Sequence, residues 1–597
     1  MGSGTNTHVD AAADDILSLL ARMYHMRIHM AMSMQNQQLV DKTHASFTRQ
    51  WFMSTQKYRP IIYTILLCVV ILVLTTKNIT KDDTIYLQGD MPRYLMNGVY
   101  FYDLINDLPI NNVIDYTYKY FARYPALSLG HHPFLLGIAE MPFYYVFGIS
   151  IFSARLTIVC FMLIAGTVWF KFIKSIYDDT IAFISSLLFV TTPYIVKFSR
   201  IVMSEIFSLS FIILTIYLFF KYCRSNKNRY AFTFSIILIM SICARYMSVF
   251  MIPIFLCYLI LQKNLKKLIN KNIIMAYTLI AILLLPIILI VLKFSQTNVQ
   301  WVMNNAISSS IEFSKITHHL KYLWLYHLTL PVFIMSLCAI IVSIYKRDKR
   351  AVFFLLWITG FCIQITCTPA QDSRYSMYWI PAFCLFPAVI IDFSRVRSWR
   401  ILTSIALIAI VSYQFVVSYQ LDPEYADGYE QAARYVVEQS NGETILFSSN
   451  IDTGFFIFFV RKYDPNKNFI VLRADKILST SLLNRIVEDR ITSRKEIYDI
   501  LDDFGVKTIV IEDKIYTSYA LEMLREELKS EKFILLKNIN IHSNNSLINN
   551  YSLSIYGYKG YKNPRIGKEL HMNIPLMGGS IKVKFDDLLV NRDLSKQ

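Results

Sequence analysis

Residues 421–597 contain no cysteine. No disulfide framework can brace that stretch, even in an oxidising compartment. All nine cysteines lie at or before Cys384, in or beside apolar runs where a thiol ordinarily packs. Cys362 and Cys367 share one such run and read as packing rather than metal ligation. The first 50 residues lack a continuous apolar stretch ahead of a small-residue cleavage site, which argues against a signal peptide there. Ile16, Leu19, Leu20, Met23, Met26 and Met30 instead fit an amphipathic surface helix. No glycine-rich phosphate loop opens any helical segment of 421–597, which argues against a nucleotide site. Charged residues are scarce at 17%, and the net charge of +17 is dispersed among separate loops rather than gathered on one face. Nucleic-acid binding is therefore excluded as a reading.

What is present is apolar surface, 54% of 597 residues. Runs long enough to cross a ~30 Å hydrocarbon core recur through the middle of the chain. They are predicted at 60–77, 153–173, 180–197, 204–222, 231–244, 247–262, 273–293, 327–345, 351–368, 376–393 and 401–420. Lys and Arg concentrate in alternate short connections. The clusters are Lys42 to Arg59, Lys171 and Lys174, Lys221 to Arg229, Lys263 to Lys271, Lys346 to Arg350, and Arg395 to Arg400. By the positive-inside rule these face the cytoplasm. The expected organisation is a cytoplasmic segment 1–59, a transmembrane domain 60–420 with about eleven helices, and an extracytoplasmic domain 421–597. The expected location is a plasma membrane, the inner membrane of a bacterium. Residues 421–597 alternate helical and strand patterns, with strands at 444–448, 469–473, 507–512 and 533–537. This predicts a soluble α/β domain with a parallel sheet. Its role is either a stabilising cap or acceptor recognition.

The polar constellations lie on the outer face. The first outer loop, 78–152, contains Asp90-Met91-Pro92-Arg93-Tyr94 and Gly130-His131-His132-Pro133. The half-apolar stretch carrying Glu140 is read as an interfacial helix, because counting it as a span would turn every later basic loop outward. Asp90 could accept a proton as an ionised carboxylate; followed by Pro92 and an amphipathic stretch, it also fits a helix N-cap. Later outer segments supply Pro193, Arg200 and Glu205, then Arg245-Tyr246, then Asp372-Ser373-Arg374-Tyr375. Arg200 alone would fit a snorkelling side chain. Together, carboxylates, arginines and tyrosines on one membrane face suit a lipid phosphate beside a proton-accepting acid. A site there has no access to cytosolic nucleotides, so a transferred group must arrive on a lipid.

These motifs resemble the GT-C superfamily of integral-membrane glycosyltransferases, most closely the protein O-mannosyltransferases and lipid A aminoarabinose transferases. Asp90-Met91-Pro92-Arg93-Tyr94 is similar to their Asp-Glu-x-Arg-Tyr, with Met91 in place of the second acid. Pro133, Phe147-Gly148, Arg155-Leu156, Pro193, Arg200, Glu205, Arg374, Tyr375 and Pro381 follow in the family's order over about 60–420. The resemblance implies Asp90 as catalytic base and Glu205 as a second acid. It implies Arg93, Arg200, Arg245, Arg374 and His131 as donor-phosphate contacts, and Tyr94, His132, Tyr246 and Tyr375 as substrate contacts. It implies a polyprenyl-phosphate sugar donor, a glycan, lipid or protein acceptor, and inversion at the anomeric carbon. No cofactor is certain; a divalent metal could sit at the His pairs 131–132 or 318–319, whose spacing defines no site. The alternative is a transporter or flippase of lipid-linked sugars, disfavoured because few charges fall mid-span. An Asn-directed oligosaccharyltransferase is disfavoured because the Trp-Trp-Asp signature is absent.

Overall fold

The computed structural model describes residues 26, 58–82, 84–87, 89–225, 227–268, 271–294, 313–367, 372–393, 396–449, 451, 453–481, 487–513, 518–574 and 579–589. The helix expected near 13–34 lies outside them except for exposed Met26, as do Lys42, Arg49, Lys57 and Arg395. The chain forms two units, residues 1–66 and 67–597. The first includes the opening turns of a helix, α1 (Tyr58–Thr75).

In the second unit the loop expected to face outward folds as β1 (Thr84–Tyr86), α2 (Met91–Asp107), α3 (Val113–Arg123) and α4 (Leu135–Phe147). At 13 residues α4 spans ~20 Å, too short to cross a bilayer. It lies against α2, where Gly137 meets the backbone of Asn97 and Gly98 so closely that a Cβ would stand 3.0 Å from it. Glu140 is fully buried at this crossing and receives a long hydrogen bond from the Tyr144 hydroxyl, 3.4 Å. Burial raises its pKa well above the ordinary carboxylate value, which favours the neutral acid.

The remaining expected spans all coincide with helices. They are α5 (Ile151–Lys174), α6 (Asp179–Val190) with α7 (Pro193–Ser199), α8 (Ser204–Ser225), α9 (Asn228–Ala244), α10 (Met251–Leu261) and α11 (Lys271–Phe294). After α12 (Phe313–Tyr322) come α13 (Leu330–Tyr345), α14 (Val352–Cys367), α15 (Ile380–Phe393) and α16 (Arg397–Gln420). Five helices are long and apolar enough to cross a membrane alone: α1, α5, α8, α15 with the 3-10 turn before it, and α16. The pair α6–α7 makes a sixth, bent by 63° where Pro193 follows extended Thr192. Among the described residues the other expected spans contribute apolar helical stretches of 10–17 residues, Ile273–Leu285 within α11 among them, so up to six helices meet the length criterion. The interruptions are where polar residues such as Arg245 enter the chain between helices.

Residues from Tyr425 onward build a five-stranded sheet ordered β4-β3-β7-β9-β8. Its strands are β3 (Thr444–Ser448), β4 (Ile470–Arg473), β7 (Val506–Glu512), β8 (Phe533–Asn540) and β9 (Ser552–Tyr558). Strands β4, β3 and β7 are parallel, as expected for βα repeats; β9 runs antiparallel to both β7 and β8. The sheet is mixed because β8 returns to β9 through a short connection with no crossover helix. A hairpin of β5 (Ser479–Ser481) and β6 (Val487–Asp489) lies between β4 and the helix Arg494–Asp503. A second hairpin pairs β10 (Glu569–Ile574) with β11 (Gly579–Lys584).

This region is fastened to the outer loop. Strand β1 pairs with β2 (Tyr425–Asp427). Arg461 and Asp103 form an ion pair with side chains only 4% and 1% exposed, and Tyr120 donates to the same carboxylate at 2.6 Å. Tyr124 reaches Asp464 at 3.2 Å, and Lys462 reaches Asp82 at 3.2 Å.

Candidate active site

Asp90 occupies the N-cap position of α2, but its side chain makes no capping hydrogen bond. The carboxylate points across the ends of several helices instead. One oxygen lies 3.2 Å from Arg93 and 3.3 Å from His132; the other lies 3.2 Å from Arg374. Burial opposes ionisation here, but the hydrogen bond and charge of His132, then Arg374 and Arg93, outweigh it and hold the carboxyl well below its usual range.

Behind this shell lies Glu205, fully buried in the first turn of α8. Arg245, placed where α9 ends, donates to it at 2.6 Å and to Ser204 at 3.1 Å. Arg374 stands 3.7 Å from Glu205 and pairs with Asp372 at 2.6 Å, so it links both acids. Asp372 holds this arginine in place by accepting from its backbone amide, opening the 3-10 turn Ser373–Trp379. Tyr94 is buried and its hydroxyl shares hydrogen bonds with Ser204, 2.9 Å, and His132, 3.4 Å. Tyr375 lies under the Arg245 guanidinium at 5.3 Å. Tyr246 donates to the Gly130 carbonyl at 3.3 Å; Gly130 has a φ of +86°, a turn conformation that admits glycine readily and sets the direction of the two histidines.

Thus Asp90, Arg93, Tyr94, His132, Glu205, Arg245, Tyr375 and Arg374 converge. Arg200 does not. It is buried, and its guanidinium donates to the carbonyls of Leu74, Ser418 and Leu421, tying α1 and α16 to the turn after α7. His131 stands beside His132 with ring centres 4.7 Å apart. Burial, then His132 and Arg93, push its pKa down to about 3, so at neutral pH it carries no charge with which to replace a phosphate-binding lysine.

A cavity of about 620 Å³ opens on the Arg374 side of Asp90. Aromatic groups line it: Tyr194, Phe198, Tyr322, Tyr326 and His327. His327 packs against Tyr194, 3.8 Å between ring centres with the planes tilted by 37°, and shares a hydrogen bond with Ser376. Burial, then His319 and Lys197, lower the His327 pKa to about 3. Lys197 also lines the cavity, and among the described residues no carboxylate pairs with it. Sequence reasoning missed Lys197, because it sits at the end of an apolar run and reads as a snorkelling end residue. Only the 63° bend after α6 turns it toward Asp90.

Among the described residues no three His, Cys, Asp or Glu side chains are placed to hold a metal ion. Asp90 and Glu205 are each engaged by arginines.

A family model described as dolichyl-phosphate-mannose-protein mannosyltransferase matches residues 131–291. Among solved structures, the apo form of ArnT from Cupriavidus metallidurans is similar over 85% of this chain and 99% of its own, with a TM-score of 0.55 at 11% identity. The same protein bound to undecaprenyl phosphate has a TM-score of 0.55 at 10% identity, again over 85% and 99% of the two chains. The fold is GT-C. The Archaeoglobus fulgidus oligosaccharyltransferase, solved with zinc and sulfate, is a further GT-C relative in fold, with a TM-score of 0.52, 15% identity, and coverage of 75% of this chain and 68% of that one. No curated protein matches the chain by sequence. The GT-C resemblance carried by the sequence motifs is thus borne out in three dimensions, and the motif-bearing residues Asp90, Glu205 and Arg374 are neighbours.

Proposed function

We propose that the protein transfers a sugar from a polyprenyl-phosphate donor to an acceptor on the outer face of the membrane, with Asp90 as base. The observation that carries this reading is the Asp90 carboxylate, ringed by Arg93, His132 and Arg374, at the mouth of an aromatic-lined cavity that also holds Lys197. Aromatic walls suit a sugar face, and Lys197 with Arg374 suits a phosphate. The similarity to a structure of ArnT bound to undecaprenyl phosphate supports a lipid phosphate as the donor class.

The acceptor oxygen or nitrogen attacks the anomeric carbon, its proton passes to Asp90, and the carbon–oxygen bond to phosphate breaks with the electron pair leaving on the phosphate. Arg374 and Lys197 stabilise that developing charge. One displacement inverts the configuration. Asp90 in the free protein is ionised at any working pH but is a weak base, because three cationic or hydrogen-bonding neighbours hold it so low. A phosphate drawing on Arg374 removes part of that restraint and adds negative charge nearby, and both changes raise the proton affinity of Asp90. Donor binding therefore activates the base. A flippase is the weaker reading, since the ionisable groups gather at helix ends: Glu205 opens α8, Arg245 follows α9 and Arg374 precedes α15.

Purified protein should consume a polyprenyl-phosphate sugar and ignore the matching nucleotide sugar. Efficient transfer from the nucleotide sugar with no lipid present refutes the proposal.

A further inference from the structure

The α8 helix carries charge at both ends. Glu205 stands in its first turn and Arg224 in its last. A rise of 1.5 Å per residue sets them ~30 Å apart, so Arg224 lies far from the Asp90 cluster. It borders a second cavity, of about 330 Å³, within the size range of small-ligand sites. Phe220 and Arg224 lie one turn apart on the same face of α8, and that face passes from apolar to cationic within ~6 Å. Helix α10 supplies Tyr258 and Leu259 to the same cavity, and the turn between α13 and α14 supplies Lys349 and Arg350. The aromatic floor is interlocked. The Phe220 ring centre is 5.3 Å from Tyr258 and 4.9 Å from Phe353, and those two are 5.4 Å apart.

The three cations of this cavity differ in what they already hold. Arg350 is fully engaged: it donates to Asp348 at 3.0 and 3.1 Å and to Asp392 at 2.7 Å, with its guanidinium 4.5 Å from the Tyr177 ring centre. Both carboxylates are spent on it. Arg224 and Lys349 are exposed, and among the described residues no carboxylate pairs with either. Carbonyls at the end of α8 would repel an anion, but the Lys267 ammonium donates to that of Cys223 and offsets the repulsion. A cation at a helix end, or in a basic loop at a membrane edge, needs no ligand to explain it. Neither role requires an aromatic hollow between two such cations, built from elements remote in sequence. This face is the one expected to be cytoplasmic, where basic pockets between membrane helices suit anionic head groups.

We propose that this cavity binds an anionic membrane phospholipid, with its phosphate held by Arg224 and Lys349 and the head of an acyl chain laid on Phe220, Tyr258 and Leu259. The site is separate from the donor cavity and does not depend on the transfer reaction. A phosphate there joins α8 to the turn after α13 through a negative charge that the two cations lack. It thereby fixes one end of the helix whose other end bears Glu205.

The test uses full-length protein, purified and delipidated in a neutral detergent. Its Tm is followed against added dioleoylphosphatidylglycerol, against zwitterionic dioleoylphosphatidylcholine, and against glycerol phosphate as a soluble head group, all at one ionic strength. Phosphatidylglycerol should raise Tm saturably and phosphatidylcholine should not. Glycerol phosphate should need about tenfold more, because it leaves the aromatic floor uncovered. Arg224→Gln and Lys349→Gln should each raise the half-saturating phosphatidylglycerol concentration about tenfold, the loss of one charge-assisted hydrogen bond. The Tm of either variant without lipid should match that of the parent, since neither side chain has an ionic partner to lose. Lys349→Arg should retain binding. Arg400→Gln removes an exposed cation of α16 outside the cavity and should change nothing. Four results overturn the proposal: no saturable rise with phosphatidylglycerol, an equal rise with phosphatidylcholine, glycerol phosphate acting at the same concentration as the lipid, or Arg400→Gln weakening the effect as much as the cavity variants do. The third result would mark a site for free anions, and the fourth a general attraction of surface charge.

Discussion

Replacing Asp90 by Asn keeps the side chain's size and removes its charge. A capping role predicts almost no change, since Asn caps as well as Asp. The structure removes that role already, because the Asp90 side chain makes no capping bond. What the substitution loses is the ion pairing with Arg93, Arg374 and His132 at 3.2–3.3 Å. Arg374 keeps Asp372 at 2.6 Å and Glu205 at 3.7 Å, so no guanidinium is left buried and alone. The expected stability cost is accordingly ~1–2 kcal/mol, a modest fall in Tm. The catalytic cost is larger. Loss of a general base lowers the rate by ~10²–10⁴, which is ~3–5 kcal/mol in the barrier. The assay is single-turnover transfer by the purified variant, with thermal unfolding and undecaprenyl-phosphate binding measured on the same preparation. Low turnover with retained folding and donor binding is the expected result. Near-wild-type turnover refutes the reasoning and moves the base assignment to Glu205.

Asp103→Asn or Arg461→Met leaves one member of a buried pair unmatched and should destabilise the protein by ~3–5 kcal/mol, read as a lower Tm and easier proteolysis of 421–597. Lys197→Met should weaken undecaprenyl-phosphate binding about tenfold with little change in Tm, measured by direct titration. For topology, a cysteine at exposed Asn228 in a cysteine-free variant should resist an impermeant thiol reagent in intact cells, and one at exposed Asn550 should react; labelling of both contradicts an outward-facing site.

Much of the site was legible because its residues interrupt apolar runs. Glu205, Arg245 and Arg374 each stand at a helix end where a charge is costly, so each invites a functional reading. Asp90 was legible as a candidate but not as a choice between base and cap, since that depends on a side-chain direction that Pro92 and the amphipathic pattern do not determine. Arg200 carries the same sequence signature as Arg374, yet it binds carbonyls, because its partners at Leu74, Ser418 and Leu421 are brought together only by the fold. The sheet was half legible. Its parallel strands follow βα repeats, whereas β9 to β11 were not anticipated although they alternate polar and apolar residues, as in Glu569-Leu570-His571-Met572-Asn573-Ile574.

The buried Arg461–Asp103 pair has a consequence for protein engineering. It fastens the C-terminal region to the very loop that bears Asp90, so these two stretches, 78–152 and 421–597, are one cassette although some 270 residues of chain separate them. A chimaera that exchanges only the tail would import a foreign face while stranding Asp103 without its cation. Exchanging both stretches together preserves the fastener and leaves the helices between them in place.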